Sequence, residues 1–182
     1  MKQKNNIPIF SFTNSQKALS YLAENPGKEF LGSEIQKATG LSRAGVYIAL
    51  LELVKHNLVS KTQKGKVLLY SVSHNNPVVK QFKILMNVIL LNPLIEILKN
   101  TSKKITLYGS ASRGEDYADS DIDLFIISKD PETTKNILSK AKIKRKIQFV
   151  IKTPADIPDF REKEKVFYEE IKEGVTLWET KE

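Results

Sequence analysis

The sequence predicts an α+β fold in two domains that are joined by a helical segment. Three observations lead to this prediction: helix-spaced apolar residues followed by a hairpin pattern in the first half, an apolar stretch that opens at a proline in the middle, and alternating strand-like runs in the second half. A length of 182 residues, 41% of them hydrophobic, is enough for two small domains. The expected boundaries are 1–75 for the first domain, 76–102 for a helical linker and dimerisation segment, and 103–182 for the second domain.

The composition excludes several classes of function. The chain contains no cysteine, which excludes a disulfide framework, a thiolate metal site and a cysteine nucleophile. With two histidines in addition, a zinc site is not expected. The N-terminus lacks the apolar stretch of a secretory signal, and the most apolar segment, residues 84–98, is interrupted by polar residues and a proline. We therefore expect a cytoplasmic protein that does not associate with a membrane.

The positive charge is concentrated in the first half of the chain. The formal net charge is +8. Residues 1–100 hold 13 Lys and Arg against 5 Asp and Glu, whereas the remaining residues hold 16 of each. A basic domain joined to a neutral one suggests that the first domain binds a polyanion such as nucleic acid, while the second has another role.

The first domain is predicted to begin with three helices. Asn14 or Ser15 is expected to cap a helix that runs to about Glu24. A short helix starts at Ser33, and after a tight turn Ser42 caps a longer helix with apolar residues at helical spacing. Two helices that are joined by such a turn form the core of a helix-turn-helix.

A basic hairpin is predicted to follow these helices. The stretches 58–62 and 66–72 alternate in the manner of strands on either side of a Lys-Gly turn. Lys61, Lys64 and Lys66 lie near its tip. The hairpin is therefore a second basic feature of the first domain.

The segment from Leu31 to Val59, together with the basic hairpin, resembles winged helix-turn-helix transcriptional regulators of the ArsR and MarR type. In that class the second helix of the motif enters the major groove and the wing lies against the phosphate backbone. The resemblance implies double-stranded DNA as a partner. The implied groove contacts are Ser42, Arg43, Ala44 and Tyr47, and the implied phosphate contacts are Lys61, Lys64 and Lys66.

Apolar residues also occur where the recognition helix of such regulators is usually polar. Ile48 and Leu51 occupy these positions, so part of that face is expected to pack on another domain or subunit. In the linker, Pro77 is expected to open a helix with a broad apolar face, and Pro93 to restart it toward Lys99. Because such a face must be buried, we expect a homodimer.

The second domain contains a glycine-serine turn and a pair of aspartates at a defined spacing. Gly109 and Ser110 follow a predicted strand, and Asp121 and Asp123 begin the next strand ten residues later. A glycine at the turn lets backbone N–H groups approach a phosphate. Residues two apart on a strand project from one face, and paired carboxylates there suit Mg²⁺ or Mn²⁺. The spacing predicts a phosphate site that faces a metal site.

This arrangement resembles the nucleotidyltransferase superfamily, and in particular its minimal nucleotidyltransferase branch, whose signature is Gly-Ser, ten residues, then Asp-x-Asp. The resemblance covers about residues 103–182 and includes Arg113-Gly114 and a closing segment at 171–178. It implies a mixed β-sheet flanked by helices. It also implies ATP as the substrate and Mg²⁺ or Mn²⁺ as the cofactor.

The same resemblance implies a role for each matched residue. Gly109 and Ser110 would contact the triphosphate, and Arg113 would pair with phosphate oxygens or brace an aspartate. Asp121 and Asp123 would be catalytic and would ligate the divalent ions.

Gln148 is the one departure at a position that matters for catalysis. The superfamily carries a third carboxylate on a later strand, and here Gln148 occupies the matching place. An amide has no negative charge and cannot take a proton. Loss of a general base typically costs on the order of 10²- to 10⁴-fold in rate. The second metal is therefore expected to bind less well and turnover to be slower.

Three hypotheses about function follow. The first is a nucleotidyltransferase that moves AMP from ATP onto a protein or a small molecule, with a DNA-binding domain attached. The second is a DNA-binding transcriptional regulator whose degenerate second domain only binds a nucleotide or a partner. The third is an antitoxin that neutralises a HEPN-domain toxin, with or without adenylylation.

Overall fold

A computed structural model describes residues 12–180, and the chain divides into two compact units that meet between Lys83 and Ile84. Helices and strands are mixed, and the second unit contains a mixed sheet. The α+β fold class is therefore confirmed.

The described part of the first unit combines helices with a small antiparallel sheet. Its strands have the order β1-β3-β2. Buried residues of the helices pack with Phe30, Val59 and Tyr70 into one hydrophobic core. The elements are α1 (Asn14–Ala23), β1 (Phe30–Leu31), α2 (Gly32–Thr39), α3 (Arg43–Lys55), β2 (Ser60–Lys64) and β3 (Val67–Ser71).

The caps of two helices in this unit differ in how well the sequence predicted them. The cap of α1 is Thr13, so the prediction of Asn14 or Ser15 was wrong. The Thr13 hydroxyl accepts a hydrogen bond from the backbone N–H of Gln16, whose side chain accepts one from the backbone N–H of Thr13 in return. This reciprocal pair fixes the helix start one residue earlier. Ser42 caps α3 as predicted, with its Oγ 3.0 Å from the backbone N of Gly45.

Helix α4 (Pro77–Leu98) is continuous and crosses the boundary between the units. The prediction that Pro93 interrupts and restarts it was wrong, because the helix runs through this proline. A proline removes a single backbone donor from a helix. Here the residues on either side of it, among them Leu91, Leu94 and Leu98, are buried in the core of the second unit and hold the helix in place.

By length and composition, α4 is also the one helix among residues 12–180 that is long and apolar enough to cross a membrane. One third of its most apolar window is buried inside the protein. The core helix of a soluble protein passes the same test, so this is weak evidence for a membrane span.

The second unit is built on a four-stranded mixed sheet with the order β6-β5-β4-β7. Strand β5 is parallel to β6 and antiparallel to β4, which is itself antiparallel to β7. Helix α4 packs on one side of the sheet, and an aromatic cluster around Phe125 and Phe160 forms on the other. Besides α4, the elements are β4 (Ser102–Tyr108), α5 (Gly109–Arg113), β5 (Ile122–Ser128), α6 (Pro131–Ser139), β6 (Ile147–Lys152), α7 (Ile157–Lys163), α8 (Lys165–Lys172) and β7 (Val175–Glu179).

The strand register places the two predicted motifs side by side. Tyr108, the last residue of β4, pairs with Asp123 near the start of β5. On the other side of β5, Asp123 pairs with Gln148 of β6. One end of the sheet therefore gathers the glycine-serine turn, the aspartate pair and Gln148.

Candidate active site

Gly109 and Asp123 are in close contact at this end of the sheet. Gly109 has φ +68°, a left-handed conformation that favours glycine. A Cβ atom at this position would lie 2.5 Å from Oδ2 of Asp123. No other residue type fits here without displacing the carboxylate. The turn and the aspartate therefore form one site.

Asp121 accepts hydrogen bonds from two donors at the start of β6, Gln148 within the strand and Lys146 directly before it. Its Oδ2 is 3.1 Å from Nζ of Lys146 and accepts a hydrogen bond from the Gln148 side-chain amide. The hydrogen bond from Gln148, with that from Lys146, lowers the pKa of Asp121 below its usual value. Gln148 thus lies beside the aspartates, where the sequence placed it, and acts as a donor.

Asp123 has the opposite electrostatic environment. Burial raises its pKa above the usual value, and the negative charges of Asp121 and Glu170 raise it further. Arg145 and Arg113 act in the opposite direction and do not cancel this. Asp123 is therefore the carboxylate of the pair that would gain most from a nearby cation.

These residues fit one divalent cation when it arrives with a nucleotide. Mg²⁺ is usually held by one or two carboxylates together with the phosphates of the substrate. Asp121 and Asp123 provide two carboxylates, and burial together with the nearby charge of Asp121 raises the pKa of Asp123. Within residues 12–180 no group of three or more His, Cys, Asp or Glu could hold an ion. Within the described residues, the pair thus presents two carboxylates on one side of the turn, and no third acid is grouped with them.

Arg113, the remaining predicted phosphate ligand, lies beside two glutamates. Its Nε is 3.1 Å from Oε2 of Glu115, and its Nη1 is 3.6 Å from Oε1 of Glu170. The side chain is half exposed. These surface ion pairs contribute little and can be exchanged for contacts with an anion.

A buried polar network holds the aspartate segment in place. Arg145 donates from Nε to the Ser120 carbonyl at 2.8 Å and from Nη2 to the Asp121 carbonyl at 3.2 Å. Its Nη1 is 2.6 Å from Oδ2 of Asp116, and the Asn87 side chain joins both residues. The amide of Asn87 also donates to the carbonyl of Ala111 in α5 at 3.0 Å. The network thus ties the aspartate segment to the glycine-serine helix.

The predicted DNA-contacting residues of the first unit are all exposed. Ser42, Arg43, Ala44 and Tyr47 lie along the start of α3, and Lys61, Lys64 and Lys66 lie on the hairpin. Lys64 is paired with Glu29, with Nζ and Oε2 2.5 Å apart. Ile48 and Leu51 are exposed as well, at 63% and 50%. Their packing against a partner stays a prediction.

A comparison with known protein families identifies the second unit. The family described as Polymerase beta, Nucleotidyltransferase matches residues 92–182, which is half of the chain. The chain belongs to this nucleotidyltransferase family. No curated protein and no solved structure gave a significant match. The family indicates nucleotidyltransfer as the type of activity, and the superfamily predicted from the sequence is confirmed.

Several residues of the nucleotidyltransferase site were not found by reasoning from the sequence. Lys146, Arg145, Asp116, Asn87 and Glu170 contact or act on the predicted residues. Asn87 carried a signal, because an amide inside an apolar helix needs a polar partner. Asp116 and Arg145 carried none, since charged residues next to a turn are usually exposed.

Proposed function

We propose that the nucleotidyltransferase domain transfers AMP from ATP in a metal-dependent reaction, and that the first unit is a winged helix-turn-helix domain that binds double-stranded DNA. The contact of Gly109 with Asp123 carries the first part of this proposal. A turn that leaves room for the Asp123 carboxylate only when it carries glycine brings the backbone proposed to bind phosphate against the carboxylate proposed to bind metal. A turn that served only to connect β4 with α5 would not need a carboxylate packed against its glycine.

In the proposed reaction an acceptor hydroxyl attacks the α-phosphorus of ATP. A bond forms between the acceptor oxygen and phosphorus, the bond from phosphorus to the bridging β-phosphate oxygen breaks, and pyrophosphate leaves with the electron pair. Gly109 and Ser110 hold the triphosphate, with Arg113 beside it. The hydroxyl proton passes to solvent, because the amide of Gln148 cannot take it.

Asp121 and Asp123 would hold Mg²⁺ or Mn²⁺. When bound, the ion supplies positive charge for the phosphate oxygens. The two aspartates also keep acceptor and nucleotide in one orientation, and the contribution of the protein is mainly positioning.

Label transfer from ATP tests the enzymatic proposal. Wild-type protein, α-labelled ATP and Mg²⁺ or Mn²⁺ are expected to give a labelled acceptor or labelled protein, and the double variant Asp121→Ala/Asp123→Ala none. Glu132→Ala/Glu162→Ala is the matched control, because it removes two exposed acids, one from α6 and one from α7, and leaves the aspartate pair intact. Equal labelling by the two double variants would contradict the assignment.

A second candidate function is supported by the donors on Asp121. Lys146 and Gln148 place a cation and an amide beside that carboxylate. This suits a degenerate domain that binds a nucleotide or a partner protein without turnover. In this form the chain is a DNA-binding transcriptional regulator or an antitoxin, and a HEPN-domain toxin is the partner expected for the antitoxin. Co-purification with the product of a neighbouring reading frame that carries an Arg-x4-6-His motif tests the latter.

Placing a carboxylate at position 148 distinguishes the active enzyme from the degenerate domain. Gln148→Asp alone leaves Lys146 to neutralise the new carboxylate, so we expect only a small gain in label transfer. Lys146→Ala/Gln148→Asp frees that carboxylate, and transfer is expected to rise about 10²-fold or more, the usual contribution of a general base. Lys144→Ala/Gln148→Asp controls for the loss of one lysine. A wild-type rate as fast as that of the restored variant would favour the intact enzyme.

The remaining parts of the proposal concern the whole chain. We infer a cytoplasmic protein and a homodimer, with duplex DNA bound through α3 and the hairpin. The excess of basic residues in residues 1–100 and the exposure of the hairpin lysines support the DNA contact.

A further inference from the structure

The first unit contains a cleft that is bounded by α2, α3 and strand β3 of the hairpin. Its volume is about 440 Å³, which lies within the range of roughly 300–1,000 Å³ that is usual for small-molecule sites. We call this space the α3 cleft. Polar groups that converge on a cleft of this size indicate a ligand site. The polar side chains that line it are those of Ser33, Gln36, Arg43, Tyr47 and Tyr70.

The pairing of β1 with β3 fixes the shape of the cleft. Leu31, the last residue of β1, pairs with Leu69, and α2 begins at the next residue, Gly32. The start of α2 is therefore held beside the hairpin. Gly32 helps to keep the cleft open, since a Cβ atom added there would lie 4.0 Å from Cδ1 of Leu50, an ordinary contact distance. A larger side chain at position 32 would occupy the cleft.

Tyr70 places a hydroxyl without a partner in the cleft. The residue is only 9% exposed, and in the described part of the chain its hydroxyl forms no hydrogen bond. Buried polar groups are normally paired, so this hydroxyl favours a polar ligand. Burial raises the pKa of Tyr70, and the neighbouring Tyr47 raises it further. The phenol is therefore protonated at pH 7 and can donate a hydrogen bond.

Arg43 supplies a positive charge at the same cleft. The residue is exposed, and within residues 12–180 its guanidinium forms no ion pair. A guanidinium presents its N–H donors in a planar fork that fits a carboxylate. The remaining lining includes the apolar side chains of Leu50 and Leu68, and Leu68 is exposed although it is large and apolar. The cleft therefore suits an anion that carries an apolar body.

A phosphodiester backbone matches these features less well. It would pair with Arg43, but it has little apolar surface with which to cover Leu50 and Leu68. A duplex also meets the surface of a protein, whereas Tyr70 is buried at the cleft. An organic carboxylate satisfies both requirements, because its charge is paired and its apolar part is removed from water.

We propose that the α3 cleft binds a small organic monocarboxylate, whose carboxylate pairs with Arg43 and accepts a hydrogen bond from the Tyr70 hydroxyl. Its apolar part lies against Leu50 and Leu68. Arg43 and Tyr47 are also proposed groove contacts, so the bound carboxylate covers them and releases duplex DNA. This last consequence rests on the proposed function, whereas the site itself does not.

Isothermal titration calorimetry with the full chain and octanoate tests the proposal. Octan-1-ol is the neutral match, and acetate is the match without an apolar body. Octanoate is expected to bind at least tenfold more tightly than either, because the site uses both charge and apolar contact. Equal affinity for octan-1-ol would mean that the donors take no part. Equal affinity for acetate would assign the cleft to an anion such as the DNA backbone, and either result would overturn the proposal.

Two substitutions locate the carboxylate group. Arg43→Gln and Tyr70→Phe are each expected to weaken octanoate binding about fivefold or more, since each removes a hydrogen-bond donor to a charged group. Lys55→Gln is the control for charge, because it lies at the other end of α3, about 18 Å away along the helix. Tyr21→Phe is the control for loss of a hydroxyl from the same core. Both controls should stay within about twofold of wild type, and an equal loss in controls and variants would overturn the assignment.

Gly32→Leu provides a test that does not remove a polar group. Gly32 does not have a positive φ, so its backbone accepts a side chain, and the variant is expected to keep the Tm of wild type. Because the new side chain fills the cleft, octanoate binding is expected to be lost. Binding of octanoate to Gly32→Leu with wild-type affinity would show that the ligand lies elsewhere and would overturn the proposal.

Fluorescence anisotropy with labelled duplex DNA separates the site from the DNA-binding proposal. Saturating octanoate is expected to weaken duplex binding by wild type at least tenfold and to leave that by Gly32→Leu unchanged. Unchanged duplex affinity of wild type would overturn the covering of Arg43 and Tyr47. A chain that binds octanoate as described but binds no duplex at all would contradict the DNA-binding proposal and would still support the carboxylate site.

Discussion

Two aspartates at the start of β5, Asp121 directly before the strand and Asp123 within it, have pKa values displaced in opposite directions. Hydrogen bonds from Gln148 and Lys146 lower the pKa of Asp121, while burial and neighbouring negative charge raise that of Asp123. The difference arises from the strands on either side of β5, because β6 supplies Gln148, with Lys146 directly before it, and β4 leads into the turn at Gly109. Because the two pKa values are displaced in opposite directions, single substitutions of the two aspartates should affect stability differently.

Gly109→Ala is expected to abolish nucleotide binding through Asp123. The new methyl group would meet Oδ2 at 2.5 Å and move the carboxylate away from the turn. Gly40→Ala is the matched control. The φ of Gly40 is +70°, close to the +68° of Gly109, and a Cβ atom added at Gly40 would meet no atom within 4 Å beyond its neighbours in the chain. Both variants should lose about 1 kcal/mol of stability from the backbone. Calorimetry with ATP and Mg²⁺ should show loss of binding in Gly109→Ala alone.

Asp123→Asn is expected to stabilise the fold while it removes function. Since the pKa of Asp123 is raised in the folded state, the folded protein binds this proton more tightly, and stability falls as the pH rises from the unfolded value of 3.8 through the folded value. The amide of Asp123→Asn does not ionise, so the variant does not lose this stability as the pH rises. A change of 1 kcal/mol shifts the Tm of a chain of this size by ~2–4 °C. Because solvent screens the charges around Asp123, we expect a smaller rise in Tm, about 1–2 °C at pH 7.

The dependence of Tm on pH, and the Tm of Asp121→Asn, show whether the gain in stability of Asp123→Asn has this origin. The gain in Tm of Asp123→Asn should shrink as the pH falls through the folded pKa and disappear below pH 3.8, where both states are protonated. Asp121 has a lowered pKa, so its ionised form is favoured in the fold and Asp121→Asn should not raise Tm at pH 7. Equal gains in both variants would mean that the pair does not differ as described.

At the scale of elements, periodicity and turn residues predicted most of the chain, and long-range contacts explain what they missed. Ser42 was predictable as a cap because a serine before a helical run is a local signal. Strand β1 was not, since it has two residues and exists only through pairing with β3. The path of α4 through Pro93 depends on burial in the second unit, which a local rule about proline does not include.

The same limit applies to the candidate site. Its glycine, serine and aspartates follow from spacing, because a turn and a strand face are local features. The donors on Asp121 depend on the parallel pairing of β5 with β6, which brings together residues that are 25 and 27 positions apart. A sequence pattern alone does not set that register.

The β2–β3 hairpin carries a prediction about DNA. Lys61→Glu/Lys66→Glu is expected to reduce the slope of log K against log salt for duplex DNA by about 1.8, since each phosphate contact on a duplex contributes ~0.9. Lys64 is left unchanged because it pairs with Glu29 in the fold. Lys129→Glu/Lys135→Glu, in the second unit, provides a control of equal net charge. An unchanged slope in the hairpin variant would contradict the proposed contact.

At the scale of the whole molecule, one continuous helix belongs to two units of different charge. Residues 77–83 of α4 lie in the basic first unit and residues 84–98 in the second. Its buried side chains contribute to both cores. Apolar side chains of α4 nevertheless remain exposed, which is unusual for a helix this apolar.

The exposed residues of α4 lead to the prediction of a homodimer. Val78 and Leu85, and likewise Leu90 and Ile97, are seven residues apart and 39% to 57% exposed. Residues at this spacing share a helix face, so each pair marks an exposed apolar stripe, and the two stripes lie about 120° apart round the helix. A second copy can cover exposed stripes of this kind symmetrically. Sedimentation at micromolar concentration should give about 41 kDa, twice the 20.6 kDa of one chain. Leu85→Glu/Ile97→Glu should return it to one chain, and Glu96→Lys, next to Ile97 in the sequence but about 100° round the helix, should not. A wild-type mass of one chain would contradict the dimer, and DNA sites for α3 would then not be expected as paired half-sites.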